Sequence, residues 1–298
     1  MQRNNNNKNT MYLFWAIAII LCLLLVLVSL FTSSCGNTNK NTRTDPTNDP
    51  SKVTSAPKNP ENPAENPGTG ENPAGGNEPA NPDAPPAENA GVQLGETEDA
   101  GQEYIDKLIF LGDSTTYGLK HYAVLKDGKE TKQTWTPLSG TLTLSFWNAN
   151  AIVYPETGEE ILIAEAVEKH QPEYLVITLG VNGVSFMDEK TFKGSYTDLV
   201  NAVKAKSPNT KIICNSIYPV EAQYEAKDNG INNAKINAAN GWIKQVAEAT
   251  GTRYSDTASV LKNAEGFLDP ANGNGDGIHL GEAGLKKLLM YLRTHAYK

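Results

Sequence analysis

The chain has 298 residues, 26 of them Lys or Arg and 34 Asp or Glu, for a formal net charge of −8. Most of that acidity sits in residues 36–101, with 4 basic and 11 acidic side chains, against 20 and 23 in residues 102–298. The C-terminal part has no basic excess and no Lys/Arg stripe, which argues against nucleic acid as its partner; it holds one cysteine, Cys214, and so cannot form an internal disulfide.

Residues 11–31 are uncharged and strongly apolar, from Met11 to Phe31. As a helix they would span roughly 31 Å, enough for a hydrocarbon core of about 30 Å. Tyr12 and Trp15 lie near one end, and Arg3 and Lys8 precede the run without any acid, a bias that leaves the N-terminus cytoplasmic and the rest outside. An uncleaved anchor is the first reading. A lipoprotein signal is the second, because Cys35 follows Thr32, Ser33 and Ser34, though Thr32 stands where such signals usually carry Leu. A cleaved signal peptide is the third; its apolar core would be shorter, about 7–15 residues. All three put the folded part beyond the cytoplasmic membrane.

Eleven of the seventeen prolines fall in residues 36–101, with near-repeats such as Glu61-Asn62-Pro63-Ala64 and Glu71-Asn72-Pro73-Ala74. Large apolar residues are scarce, so no core can offset the entropy of ordering this backbone. A disordered linker is expected, reaching roughly 200 Å at about 3.1 Å per residue. Residues 102–298 are large enough to fold on their own core.

Within that domain, three apolar runs read as buried parallel strands: 107–111, 174–179 and 211–217. Helical spacing joins Tyr196, Leu199, Val200 and Val203, then Ile236, Ala239, Ile243 and Val246 (with Gly241 as a weak point), then Leu285, Leu288, Leu289 and Leu292. Alternating strands and helices predict a parallel sheet covered on both faces, with ligands at the carboxyl ends of its strands. Residues 134–163 are less regular. Leu142, Leu144 and Phe146 alternate with polar positions, and Pro155-Glu156-Thr157-Gly158 reads as a hairpin turn.

Three clusters carry chemistry. Gly112-Asp113-Ser114 ends the first strand, so Ser114 opens a helix of about 115–125 where its hydroxyl is exposed and its N–H unpaired; Asp113 and Ser114 are equally ordinary helix caps. Asn182, two residues past Gly180, offers an amide donor to a developing oxyanion, or else an Asx-type turn. Asp276 and His279 share a Gly/Asn-rich loop before the last helix, spaced so that a tight turn sets the carboxylate against Nδ1 and frees Nε2. His121, His170 and His295 fall on predicted helices and read as surface or helix-end charges. Asn274-Gly275-Asp276 is similar to a calcium loop, but with Glu282 as the one further acid the ligand spacing is wrong, and no metal is expected.

Taken in order, these clusters resemble the SGNH/GDSL hydrolase superfamily: Gly112-Asp113-Ser114 its first block, Gly180-Val181-Asn182 its third, Asp276-Gly277-Ile278-His279 its fifth. The resemblance spans essentially all of 105–298. It implies a flavodoxin-like three-layer α/β/α sandwich with a mostly parallel sheet, and ester hydrolysis without cofactor. It implies Ser114 as nucleophile, His279 as base and then acid, Asp276 as its orienter, and an oxyanion hole of the Ser114 N–H, Asn182 and a second-block glycine, for which Gly140 is the candidate. Thr115 replaces the family's leucine, and Gly183 stands where many members carry aspartate; Gly-x-Asn-Gly is similar to peptidoglycan O-acetyltransferase domains and to some bacterial acetylesterases.

The expectation is therefore a membrane-held extracytoplasmic esterase that removes small acyl groups, chiefly acetyl, from carbohydrate, either wall peptidoglycan or an external polysaccharide. Trp135, Phe146, Trp147 and Phe186 are candidates for a sugar or acyl rim, with buried core as their alternative. O-acetyl transfer to wall glycans, a catalytically silent binding module and a lipase or lysophospholipase are the rivals. A single expected span weighs against transfer, since a transferase needs an acetyl donor delivered across the membrane.

Overall fold

The computed structural model describes residues 91–227 and 229–298. A short helix α1 (Gly101–Ile105) leads into β1 (Leu108–Gly112) and α2 (Ser114–His121). Next come β2 (Thr134–Trp135), the hairpin β3 (Ala151–Val153) and β4 (Glu160–Leu162), and α3 (Ile163–His170). Then follow β5 (Tyr174–Thr178), α4 (Glu189–Lys206), β6 (Lys211–Asn215), α5 (Ala222–Glu225), α6 (Asn233–Thr250), β7 (Arg253–Ser255) and α7 (Glu282–Thr294).

Five strands form one sheet in the order β2-β1-β5-β6-β7, every neighbouring pair parallel. Counting its strands along the chain, that order is 2-1-3-4-5, the flavodoxin-like arrangement, whose switch point lies between β1 and β5. Alternation across the strands divides the interior. Ile109, Leu111, Leu175, Ile177, Ile212 and Cys214 face the core shared with α3, α4 and α6, while Leu108, Phe110, Tyr174, Val176 and Ile213 face the core shared with α2 and α7. Both faces being covered explains why β1 and β5 are apolar throughout rather than alternating. The expected three layers are present.

Helical periodicity is met where it was read: Tyr196, Leu199, Val200, Val203, Ile236, Ala239, Ile243, Leu285, Leu288 and Leu292 are buried. Gly241 sits inside α6 without breaking it. Residues 154–159 turn the β3–β4 hairpin, closed by Tyr154 N–H to Glu159 O at 2.8 Å. The alternation at 142–146 is not a strand: Leu144–Phe146 form a 3₁₀ turn that buries Leu142 and Leu144 and leaves Phe146 exposed.

The expected linker boundary moves. Residues 91–101 belong to the domain, not to a disordered segment: Leu94 is buried, its N–H donates to Tyr254 O at 2.8 Å, and the Tyr254 N–H donates to Val92 O at 2.9 Å. Arg293 pairs with Asp99 and the Thr97 N–H reaches Thr294 O. Polar composition hid this segment, because one leucine and a few backbone bonds suffice to dock it. Among the described residues no helix is long and apolar enough to cross a membrane. The span expected at 11–31, Cys35 and the linker as far as residue 90 lie outside the described residues.

Candidate active site

Ser114 is the first residue of α2, directly beyond the carboxyl end of β1. The passage from strand to helix is tight. A Cβ on Gly112 would sit 2.0 Å from Thr116 Oγ1 and 2.7 Å from Thr178 O, so only glycine fits. Asp113 is the helix N-cap: its Oδ1 accepts from the Thr115 N–H at 3.0 Å and from Thr115 Oγ1 at 2.7 Å. The Ser114 N–H belongs to the first turn of α2, where no intrahelical carbonyl can take it, and it lies at the end of the helix that favours an anion.

The loop before α7 supplies the other partners. His279 Nε2 lies 2.9 Å from Ser114 Oγ, and its Nδ1 lies 2.7 Å from Asp276 Oδ2. Asp276 is fastened from several sides. Its Oδ1 accepts from the Ile278 and His279 N–H groups, both at 2.9 Å, and Asn274 Nδ2 donates to Oδ2. Lys227 Nζ ties the same loop through Asp276 O. Partial burial would raise the Asp276 carboxyl, but those two amides and the His279 ring outweigh it and bring it down to about 2. A fixed anion at Nδ1 selects the tautomer that leaves Nε2 unprotonated toward Ser114. The three side chains expected to act together are thus hydrogen-bonded in one line.

Asn182 also arrives, from the turn after β5, but not as a free donor. Its Nδ2 donates to Asp113 Oδ2 at 3.0 Å and to Leu142 O at 3.3 Å. Gly140 stands beside the nucleophile, where a Cβ would be 3.7 Å from that of Ser114. Its N–H, however, donates to Pro137 O at 3.0 Å, closing a turn on itself instead of facing a reacting oxygen. The cap role of Asp113 is legible in the sequence; its second role, as the acceptor that holds Asn182, is not. Nothing local in the chain joins positions 69 residues apart, so no sequence signal marks that pair. Burial raises the Asp113 carboxyl to about 6, against the Thr115 hydrogen bonds and the charge of His279.

Of the four aromatics offered as a rim, Trp135 is wholly buried and Trp147 packs against the core; Phe146 and Phe186 are exposed. His170 is not a free surface charge but lies edge-on to Trp135 at 5.3 Å, and burial lowers its pKa. Ser114 and His279 open onto a cleft of about 230 Å³. A larger cavity, about 460 Å³, lies between Tyr117 and Lys120 of α2, the 137–140 turn, and Val153 and Pro155 of the hairpin. Among the described residues no three His, Cys, Asp or Glu side chains converge as metal ligands.

Residues 110–287 match the model of the GDSL-like lipase/acylhydrolase family. The chain belongs to that family. As a GDSL-family acylhydrolase it is a hydrolase of the esterase class, in keeping with the resemblance read from its three clusters. Solved structures similar to this acylhydrolase include a GDSL-like lipase from Bacteroides thetaiotaomicron, at 18% identity and TM-score 0.46 over 66% of this chain and 89% of that one. A lipopolysaccharide acetyltransferase periplasmic domain from Salmonella Paratyphi A matches at 19% identity and TM-score 0.43, covering 68% and 85%. An acetyl-xylooligosaccharide esterase from Geobacillus matches at 19% identity and TM-score 0.38, covering 64% and 94%. A search of curated proteins finds no match to this chain.

Proposed function

We propose that this GDSL-family enzyme is a membrane-held, extracytoplasmic serine esterase that removes small acyl groups, chiefly acetyl, from carbohydrate. The observation that carries the reading is the continuous hydrogen-bond line from Ser114 Oγ through His279 to Asp276. In that reading Ser114 Oγ attacks the ester carbonyl while His279 Nε2 takes its proton, and Asp276 stabilises the imidazolium that forms. Collapse of the tetrahedral intermediate breaks the bond to the alcohol oxygen, which receives the proton from His279. Water, activated by the same imidazole, then frees the acid and restores Ser114.

The developing oxyanion is met by the Ser114 N–H and by Asn182 Nδ2. Asn182 keeps its 3.0 Å bond to Asp113 and turns its weaker donor, now 3.3 Å from Leu142 O, toward the substrate. Gly140 contributes chiefly by bringing backbone close to Ser114, since its own N–H must leave Pro137 O to donate. The apolar run at 11–31 and the Pro/Asn/Glu-rich segment after it support a tethered enzyme working near a wall or surface polysaccharide.

Acetate release from acetylated wall and plant glycans, with the wild-type chain and Ser114→Ala, tests the proposal. Wild type should release acetate and the variant should not, with both folded equally by circular dichroism. Near-normal turnover by Ser114→Ala would remove the nucleophile assignment, and acetylation of glycan in place of acetate release would make the enzyme a transferase.

A further inference from the structure

The cleft onto which Ser114 and His279 open is walled along one side by α2. Ser114, Tyr117 and His121 fall at i, i+3 and i+7 of α2, so a single helix face carries the hydroxyl and then two rings. Tyr117 is 46% exposed although it lies one turn from the nucleophile. Its ring centroid is 6.3 Å from that of His121, and His121 is braced edge-on by Tyr122 at 4.8 Å. Gly118, between them, lines the floor of the cleft, and a Cβ there would press on Leu285 Cδ1 of α7 at 3.3 Å. Asn274 and Leu280, beside His279, close the opposite wall.

Chemistry decides which part of an ester can lie here. The proton that His279 Nε2 takes from Ser114 must be handed to the departing alcohol oxygen, so that oxygen comes within hydrogen-bond reach of Nε2. The alcohol portion therefore extends along the side of Ser114 that His279 faces, into the cleft walled by Tyr117 and His121. Flat aromatic faces edged by a phenol hydroxyl and imidazole nitrogens match a pyranose ring, whose C–H face is apolar and whose rim is polar. The cleft is an open groove, so the rest of an oligosaccharide can continue out of it.

We propose that Tyr117 and His121 form the subsite for the sugar that leaves as alcohol, so that this enzyme selects its ester through the leaving group. The proposal rests on the serine esterase reading above. Neither ring touches the reacting atoms; both position the substrate.

The experiment compares the full-length wild type with Tyr117→Ala, His121→Ala and Tyr117→Phe on three esters: methyl acetate, phenyl acetate and acetylated xylo-oligosaccharide. Loss of one stacking ring should lower kcat/KM for the acetylated oligosaccharide about tenfold, mainly through KM, while methyl acetate changes less than about twofold. Tyr117→Phe should restore most of the stacking contribution. Equal losses on all three esters would show a merely structural wall, and no loss on the oligosaccharide would show that the sugar lies elsewhere; either overturns the subsite. A loss confined to phenyl acetate would assign the wall to aromatic alcohols and also overturn it. Turnover surviving in Ser114→Ala would instead sink the underlying esterase reading, which keeps the two failures apart.

Discussion

Asp113 caps the helix that carries Ser114 and also accepts from the Asn182 amide, so one buried carboxylate orients both the proposed nucleophile and the proposed oxyanion donor. Replacing it by Asn puts an amide NH₂ against either Thr115 or Asn182. If Asn182 flips to accept that donor, it can no longer donate to the substrate. Asp113→Asn is expected to lower kcat with little change in KM, by a factor approaching the about 10²–10³ expected for Asn182→Ala. A KM effect without a kcat effect would remove this role. The same residue sets a pH dependence. Its folded-state pKa of about 6 exceeds the ordinary 3.8, so the folded chain takes up a proton within that window. This group's contribution to stability is therefore full below about pH 4 and is lost as pH rises through 6, to the extent of at most about 3 kcal/mol. Urea midpoints at pH 4, 5 and 6 should show Asp113→Asn gaining on wild type as pH rises; a constant difference would contradict it.

Elements are held to the site by close backbone approaches. Gly180, at φ +132°, begins the turn that presents Asn182, and a Cβ there would meet Phe192 Cζ at 2.7 Å and Ile217 Cδ1 at 2.8 Å. Gly180→Ala is expected to destabilise the fold by about 1–3 kcal/mol and to reduce turnover by displacing Asn182. Denaturant titration and kcat measured on one preparation check both parts; unchanged values would show that the turn relaxes freely. Packing at the last helix should follow ordinary cavity energetics, with Leu288→Ala costing about 2–5 kcal/mol. The long helices were readable because four apolar residues at helical spacing leave no other way to bury them. The strands β2 and β7 were not. At two and three residues, with Arg253 and Ser255 making up most of β7, they are defined by the neighbouring strand and not by their own composition. The apparent alternation at Leu142, Leu144 and Phe146 misled for the opposite reason, since burying two leucines needs no strand when a 3₁₀ turn packs them into the core beside α4.

At the scale of the whole molecule, the segment 91–101 joins a domain whose expected first residue is 102. Leu94 is fully covered, and its burial alone is worth roughly 1.5–3 kcal/mol. A chain beginning at residue 91 should therefore unfold at higher urea than one beginning at 102, and coincident midpoints would show the docked segment to be passive. What the amino-acid sequence determined by itself was the three central strands and the long helices, the apolar interior and the three polar clusters, because each rests on neighbours a few residues apart. Its family followed from those clusters in their order. Only the tertiary structure decided that Ser114 and His279, 165 residues apart, lie within hydrogen-bond distance, that Asp113 holds Asn182, and that Tyr117 and His121 wall the cleft. Those relations arise where the ends of separate strands meet on one rim of a parallel sheet, and no local preference of the chain encodes a distance across it.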